Sequence, residues 1–288
     1  STAIAAMGVN DIDPRGDMDQ ADLVDGIGTS EWIRGTRGGT ADHGGMLLGE
    51  SGKLVGVGVF PATVTGVARL PKEYVAFVMD TGVPRIYEDT VKEETVIAYP
   101  LGTFFAREVF FSQIQSGEMG INLKDGWYDR VNLIRDLNEA NLGVDTETIY
   151  RLLIDLPAET SLHRLRDWAH ETGKELLYDQ MYNRDVEGKF GFIDQETPIY
   201  LRRRFAFGLA EQDRVRYMLE YMKDGSMDKV FELMRISHVG DFDSEVTIED
   251  LEMRIKLTRD KKETGRLCYL PGGYGRMTAD YDKVVRSV

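Results

Sequence analysis

Five glycines fall within the fourteen residues 32–45, WIRGTRGGTADHGG, and they limit the backbone severely. Glycine in a helix interior costs about 1 kcal/mol relative to alanine. Gly35, Gly38, Gly39, Gly44 and Gly45 together therefore predict a loop that turns tightly or approaches a ligand closely, not a helix. Arg34, Arg37 and the pair Asp42-His43 share this stretch, so the loop carries chemistry as well as turns. Read alone, Asp42 is a cap for the helix or turn that follows.

The flanking sequence sets the fold class. Residues 1–29 have apolar positions at mixed helical spacing, broken at Pro14-Arg15-Gly16 and ended at Gly28. Gly26-Ile27-Gly28 lacks the third glycine and the preceding strand of a dinucleotide loop. After the glycine-rich stretch, residues 46–48 and 53–60 read as a hairpin turned at 49–52. Residues 64–69 and 74–79 follow as two further strands. Beyond Pro84 the pattern becomes helical, over 97–114, 128–137, 146–156, 161–171, 198–223 and 227–237. Gly143 reads as a C-cap, with Asp145 or Thr146 opening the next helix, while 178–193 reads as a loop and 240–270 fits no period. Arg202, Arg203, Arg204, Arg214 and Arg216 read as a solvated face balanced by Glu211, Asp213 and Glu220. The expected class is α+β, with a sheet-bearing region at 1–84 and a helix-rich region at 85–288.

Charge narrows the partners. Forty-nine acids against 35 bases give −14, which would repel nucleic acid or an anionic membrane surface. No apolar run reaches the ~20 residues of a membrane span. Cys268 is the sole cysteine, so an internal disulfide is excluded and a reducing compartment, the cytoplasm, is expected.

The stretch EWIRGTRGGTADHGGMLLGESGKLVGVGVFP at 31–61 resembles the galactokinase-like sugar kinases of the GHMP kinase superfamily, in which a glycine-flanked Asp sits in a GGxxDH-like context. Collinear pieces agree: FVMDTGVPR, the Ala140–Val144 spacing, FELMRISHVGD, and YLPGGYGRMTADYDKVV near the end. Three family motifs are not intact, namely the N-terminal sugar-binding motif, a GLSSSA-like phosphate loop and a GGGFGG-like C-terminal motif. The resemblance is thus to an internal portion of such a kinase. Residues 1–6 resemble the tail of the phosphate loop entering its helix.

The resemblance implies a two-lobed fold, ATP and Mg2+ as cofactors, and a monosaccharide substrate phosphorylated at its anomeric hydroxyl. Asp42 would be the base, since an ionised carboxylate in hydrogen-bond reach can accept that proton. Arg37 would contact phosphate or orient Asp42, with Arg34 competing for both parts. Gly38, Gly39 and His43 would lie at the sugar, although a structural role suits His43 better. Ser1 would meet magnesium or a phosphate oxygen. His238 is expected to pack, Trp32, Trp127 and Trp168 to be core or interface residues, and Asp19 to sit on a solvated helix face despite its MDQ context. The alternative is a non-catalytic, sugar-binding relative, favoured by the missing glycine-rich motifs.

Overall fold

The computed structural model describes residues 7, 9–11, 13, 16, 18–31, 39–59, 61–78, 80, 82, 89–115, 117, 120–187, 193–242, 245–275 and 279–287, with the backbone alone at 89–93 and 287. The class is mixed α and β, and helices dominate. Contacts divide the chain into two compact units. The smaller comprises Ser1–Phe77, Gly188–Gly191 and Val215–Val230; the larger comprises Val78–Glu187, Phe192–Arg214 and Phe231–Val288.

In the smaller unit, helix α1 (Gln20–Glu31) is followed by α2 (Ala41–Leu48) and by the antiparallel strands β1 (Lys53–Gly58) and β2 (Thr63–Arg69). Asp19 opens α1 as its cap, its Oδ1 accepting from the backbone N–H of Ala21 at 2.8 Å and Asp22 at 3.1 Å. The expected hairpin is displaced. Residues 46–48 complete α2, and the turn ending at Gly52 (φ +68°) joins that helix to β1. β1 instead pairs with β2, in a register that shifts between Gly56 and Val57. Residues 74–78 join no ladder, so among the described residues the sheet has two strands and not four.

Packing explains why α2 contains Gly44, while Gly45 has open space where a side chain would project. A Cβ on Gly44 would lie 2.8 Å from Val57 Cγ1, so the missing side chain lets α2 rest directly on β1. Close approach was the right physical reason. The neighbour is protein, however, and the tertiary contact outweighs glycine's helix penalty. Leu219 settles similarly over Gly56 and Gly66, where added Cβ atoms would sit 2.8 and 3.0 Å from its Cδ1.

The larger unit contains α3 (Asp89–Phe105), which runs on through a π-helical turn (Ala106–Phe111) into Ser112–Gln115. Next come α4 (Thr146–Asp155), α5 (Leu162–Glu171) and α6 (Glu175–Asp185). Helices α7 (Leu201–Lys223) and α8 (Met227–Gly240) each give residues to both units, and α9 (Ile248–Arg259) and α10 (Ala279–Ser287) complete the order. Gly143 (φ +75°) ends a single helical turn, and Asp145 caps α4 by accepting from Thr148 N–H at 2.9 Å. Ser161 caps α5 in the same way. The expected helix over 128–137 is only two short turns, Trp127–Arg130 and Ile134–Asp136. The core includes Ile97, Leu101, Phe110, Phe111, Leu152, Leu153 and Phe205, all fully buried. Each such aliphatic or aromatic side chain contributes about 1.5–3 kcal/mol.

Two expectations over this unit are corrected. Residues 178–185 belong to α6, where Tyr178 and Met181 face inward, Tyr178 stacks on Tyr182, and the Tyr178 hydroxyl donates to Leu162 O at 3.1 Å. Polar residues on the outer face had masked that inner one. Residues 248–259 form α9, capped by Thr247, whose Oγ1 accepts from Asp250 N–H.

Arg216 is exposed as expected and Arg202 and Arg203 are half-buried, but two of the arginines of α7 lie inside. Arg214 is 0% exposed and Arg204 3%. Arg214 donates to Cys268 O (3.0 Å), Leu270 O (2.7 Å) and Glu211 (2.6 Å). Arg204 donates to Gly273 O at 2.7 Å and to Glu94 Oε2 at 2.9 Å, while Glu94 Oε1 accepts from Tyr200 N–H. Arg202 closes the end of α4, donating to Ile154 O and Leu156 O. The segment Leu270–Tyr274 thus wraps its carbonyls around two buried cations, with Gly272 (φ +72°) against the Phe207 backbone and Tyr274 stacked on the Phe207 ring.

Removing one member of a buried ion pair strands the other. Arg204→Ala is expected to cost about 3–5 kcal/mol in denaturant unfolding, and the apolar double replacement Arg204→Met/Glu94→Leu to recover much of that loss. Nearer the surface, Arg259 forks both oxygens of Glu147 and Arg151 adds two further bonds. Chiefly through Arg259, the Glu147 carboxyl falls from its ordinary 4.5 to about 2. A depressed acid stabilises the fold above its unfolded value and loses that contribution as pH falls through the folded one. The stability difference between the wild type and Glu147→Gln should therefore be full above pH 4.5 and vanish on descent to about 2 in pH-dependent thermal unfolding.

Candidate functional site

Asp42 lies in the first turn of α2. Thr40 occupies the cap position, yet its side chain turns inward and makes no capping bond. Asp42 is therefore not the cap. Its carboxylate is exposed at the helix end where oriented N–H groups favour negative charge, and it has no partner among the described residues.

His43 takes the opposite face. It is 6% exposed, and its Nε2 lies 3.2 Å from Glu31 Oε1 at the end of α1. Successive residues of a helix point about 100° apart, so Asp42 and His43 are adjacent in sequence and divided in space. The contact that seats α2 is Gly28 of α1, where an added Cβ would overlap the Thr40 methyl and lie 3.7 Å from His43 Nδ1. Asp25, one turn earlier on α1, accepts from Ala62 N–H at 2.8 Å through Oδ2. Asp25 Oδ1, Thr40 Oγ1 and His43 Nδ1 are buried with no hydrogen-bond partner among the described residues.

Gly39 is exposed, with open space where a side chain would project. Ser1, Trp32, Arg34, Arg37 and Gly38 lie outside the described residues. Of the expected site residues, Asp42, His43 and Gly39 are among the described ones, and the phosphate-side residues are not. Among the described residues no group of three His, Cys, Asp or Glu side chains could hold a metal ion. No helix of the described residues is long and apolar enough to cross a membrane.

No family model, curated protein or solved structure matches this chain.

Two of the motif pieces do meet. His238, in the LMRISH segment of α8, sets its Nε2 3.1 Å from Asp282 Oδ1 in the TADYD segment of α10. Arg286 donates to both oxygens of Asp282 and, with help from His238, holds that carboxyl below the usual range. His238 is half-buried, edge-on to Phe242, and serves packing. Trp127 is buried, and Trp168 is half-buried, meeting Phe104 edge-on.

Sequence reasoning passed over a polar cavity in the larger unit that Arg107 and Glu108 line. The available signal was a charged pair inside the otherwise apolar and aromatic run 97–114.

The seating of α2 has a direct test. Gly28→Ala is expected to destabilise by about 1–3 kcal/mol, through overpacking against Thr40. Gly26→Ala, two residues away with nothing within 4 Å of its added Cβ, is expected to stabilise by about 0.4–1 kcal/mol. Urea unfolding of the two variants in parallel measures both.

Proposed function

We propose that the chain belongs to an ATP-dependent, magnesium-requiring sugar kinase that phosphorylates a monosaccharide at its anomeric hydroxyl, with Asp42 as the base. The observation that carries this reading is the Asp42 carboxylate, which is exposed, partnerless among the described residues and fixed on a helix whose other face is seated by Gly28 and Gly44. A carboxylate with no cap or ion pair to make among the described residues has both oxygens open to a substrate hydroxyl. The reading brings with it the two-lobed GHMP-kinase architecture over 1–84 and 85–288.

In this scheme the anomeric O–H donates to Asp42, and its proton passes to the carboxylate as the oxygen forms its bond to phosphorus. ATP would supply the phosphoryl group. Among the described residues no group of three His, Cys, Asp or Glu side chains could hold a metal ion, and Ser1, the residue assigned to magnesium, lies outside them. Gly38 and Gly39 would give the sugar room to approach, Arg37 would neutralise phosphate or orient Asp42, and His43 would hold the helix from behind. The net charge of −14 and the single cysteine fit a cytoplasmic enzyme of small metabolites.

Sugar-dependent ATP consumption, surveyed over common monosaccharides, tests the reading. Asp42→Asn should lower the rate by about 10²–10⁴-fold while leaving calorimetric sugar affinity near that of the wild type. Equal rates for the two proteins would remove Asp42 from the chemistry. Sugar binding without ATP consumption by the wild type would instead assign the chain to the non-catalytic alternative.

A further inference from the structure

Within the larger unit a cavity of about 250 Å³ lies beside the π-helical turn that follows α3. Such turns are rare and recur at functional sites. Within this one Arg107 and Glu108, neighbours in sequence, both line the same space. Facing them are Tyr128 and Asn132 from the following segment, and Arg184 and Asp185 from the end of α6.

The two carboxylates in this wall are already engaged. Glu108, buried, accepts from the Tyr128 hydroxyl at 2.6 Å and has Lys174 Nζ at 3.6 Å. Burial first, and Glu108 second, raise the Tyr128 phenol above its ordinary value, so the hydroxyl stays a donor. Asp185 is forked by Arg184 through Nε and a terminal nitrogen, at 2.6–3.0 Å.

Arg107 is left with capacity to spare. Its guanidinium lies over the Tyr128 ring at 4.2 Å and reaches Asn132 Oδ1 only at 3.5 Å. Its buried Nε has no hydrogen-bond acceptor, Glu108 Oε1 being 3.9 Å away. A buried donor without an acceptor is costly, and a guanidinium is shaped to take a carboxylate. Glu108 is faced by Lys174, which stands behind the lining, and Asp185 is taken by Arg184, so among the lining residues the charge left in excess is that of Arg107. Phe104, Leu177 and Met181 supply an apolar wall beside the charged one.

We propose that this cavity is a binding site for a small monocarboxylate, with the carboxylate on Arg107 and the carbon body against Phe104, Leu177 and Met181. One excess charge matches a monoanion. A phosphate dianion would bring a second negative charge against Glu108 and Asp185, and a neutral amide would leave the guanidinium charge uncompensated. None of its lining residues is among those assigned to the sugar kinase chemistry, so the site does not rest on that reading.

The test is calorimetric titration of the full chain with L-lactate, benzoate, lactamide and inorganic phosphate. Saturable binding of lactate or benzoate is expected, with lactamide and phosphate weaker by about tenfold or more. Arg107→Gln should weaken the acid by about tenfold or more. Leu177→Trp, which fills the half-buried rim without touching a charge, should abolish binding while keeping the wild-type unfolding midpoint. The proposal is overturned if neither acid binds, if phosphate or lactamide binds as well as the acids, or if both variants bind like the wild type. Should Arg107→Gln lose its folded circular-dichroism spectrum, Leu177→Trp decides alone, and retained binding there overturns the proposal.

Discussion

Two buried guanidinium groups on α7 bear on more of the larger unit than any apolar contact does. Taking an arginine out of water is expensive unless every donor meets an acceptor. Arg204 and Arg214 meet that condition by drawing together parts of the chain that are distant in sequence: Glu94 near the start of α3, and the carbonyls of Cys268, Leu270 and Gly273 near the end. The carbonyls that follow the short turn at Leu267–Tyr269 would otherwise be buried without partners. The cations therefore give this irregular segment a defined path, and the segment gives the cations a reason to be inside.

What the sequence made legible was local. Asp145, Ser161 and Gly143 act within one turn of themselves, and their capping roles can be read from residue type and spacing. The arginines could not be read in this way, because their acceptors are carbonyls more than fifty residues away and every sequence has carbonyls. The clue was positional: residues 204, 207, 211 and 214 fall within one arc of α7, and two of them are arginines on the side that also carries Phe207. Glycine misled for a related reason. Gly44 was expected in a loop because isolated helices disfavour it, yet on α2 its value lies in the strand it touches, which is invisible until the chain is folded.

The candidate site divides along the same line. The exposure of Asp42 and the burial of His43 follow from a helix that begins at Ala41, and reading 41–48 as loop and strand hid that division. Gly28 settles the orientation, since it admits Thr40 and the imidazole side of α2 against α1. In the larger unit, the cavity beside Arg107 lies at a change of helical winding within α3's continuation, to which apolar periodicity is nearly blind.

Cys268 sits fully buried in the segment held by Arg214, its N–H donating to Asp213 and its carbonyl accepting from that arginine. A thiol in such a place is chemically silent toward solutes for as long as the arginine keeps its carbonyls. The chain therefore carries a built-in clock: at a concentration of external thiol reagent high enough for modification to outpace reclosing, the rate counts the openings that expose Cys268, one sulfur per molecule, with no second cysteine to confuse the reading.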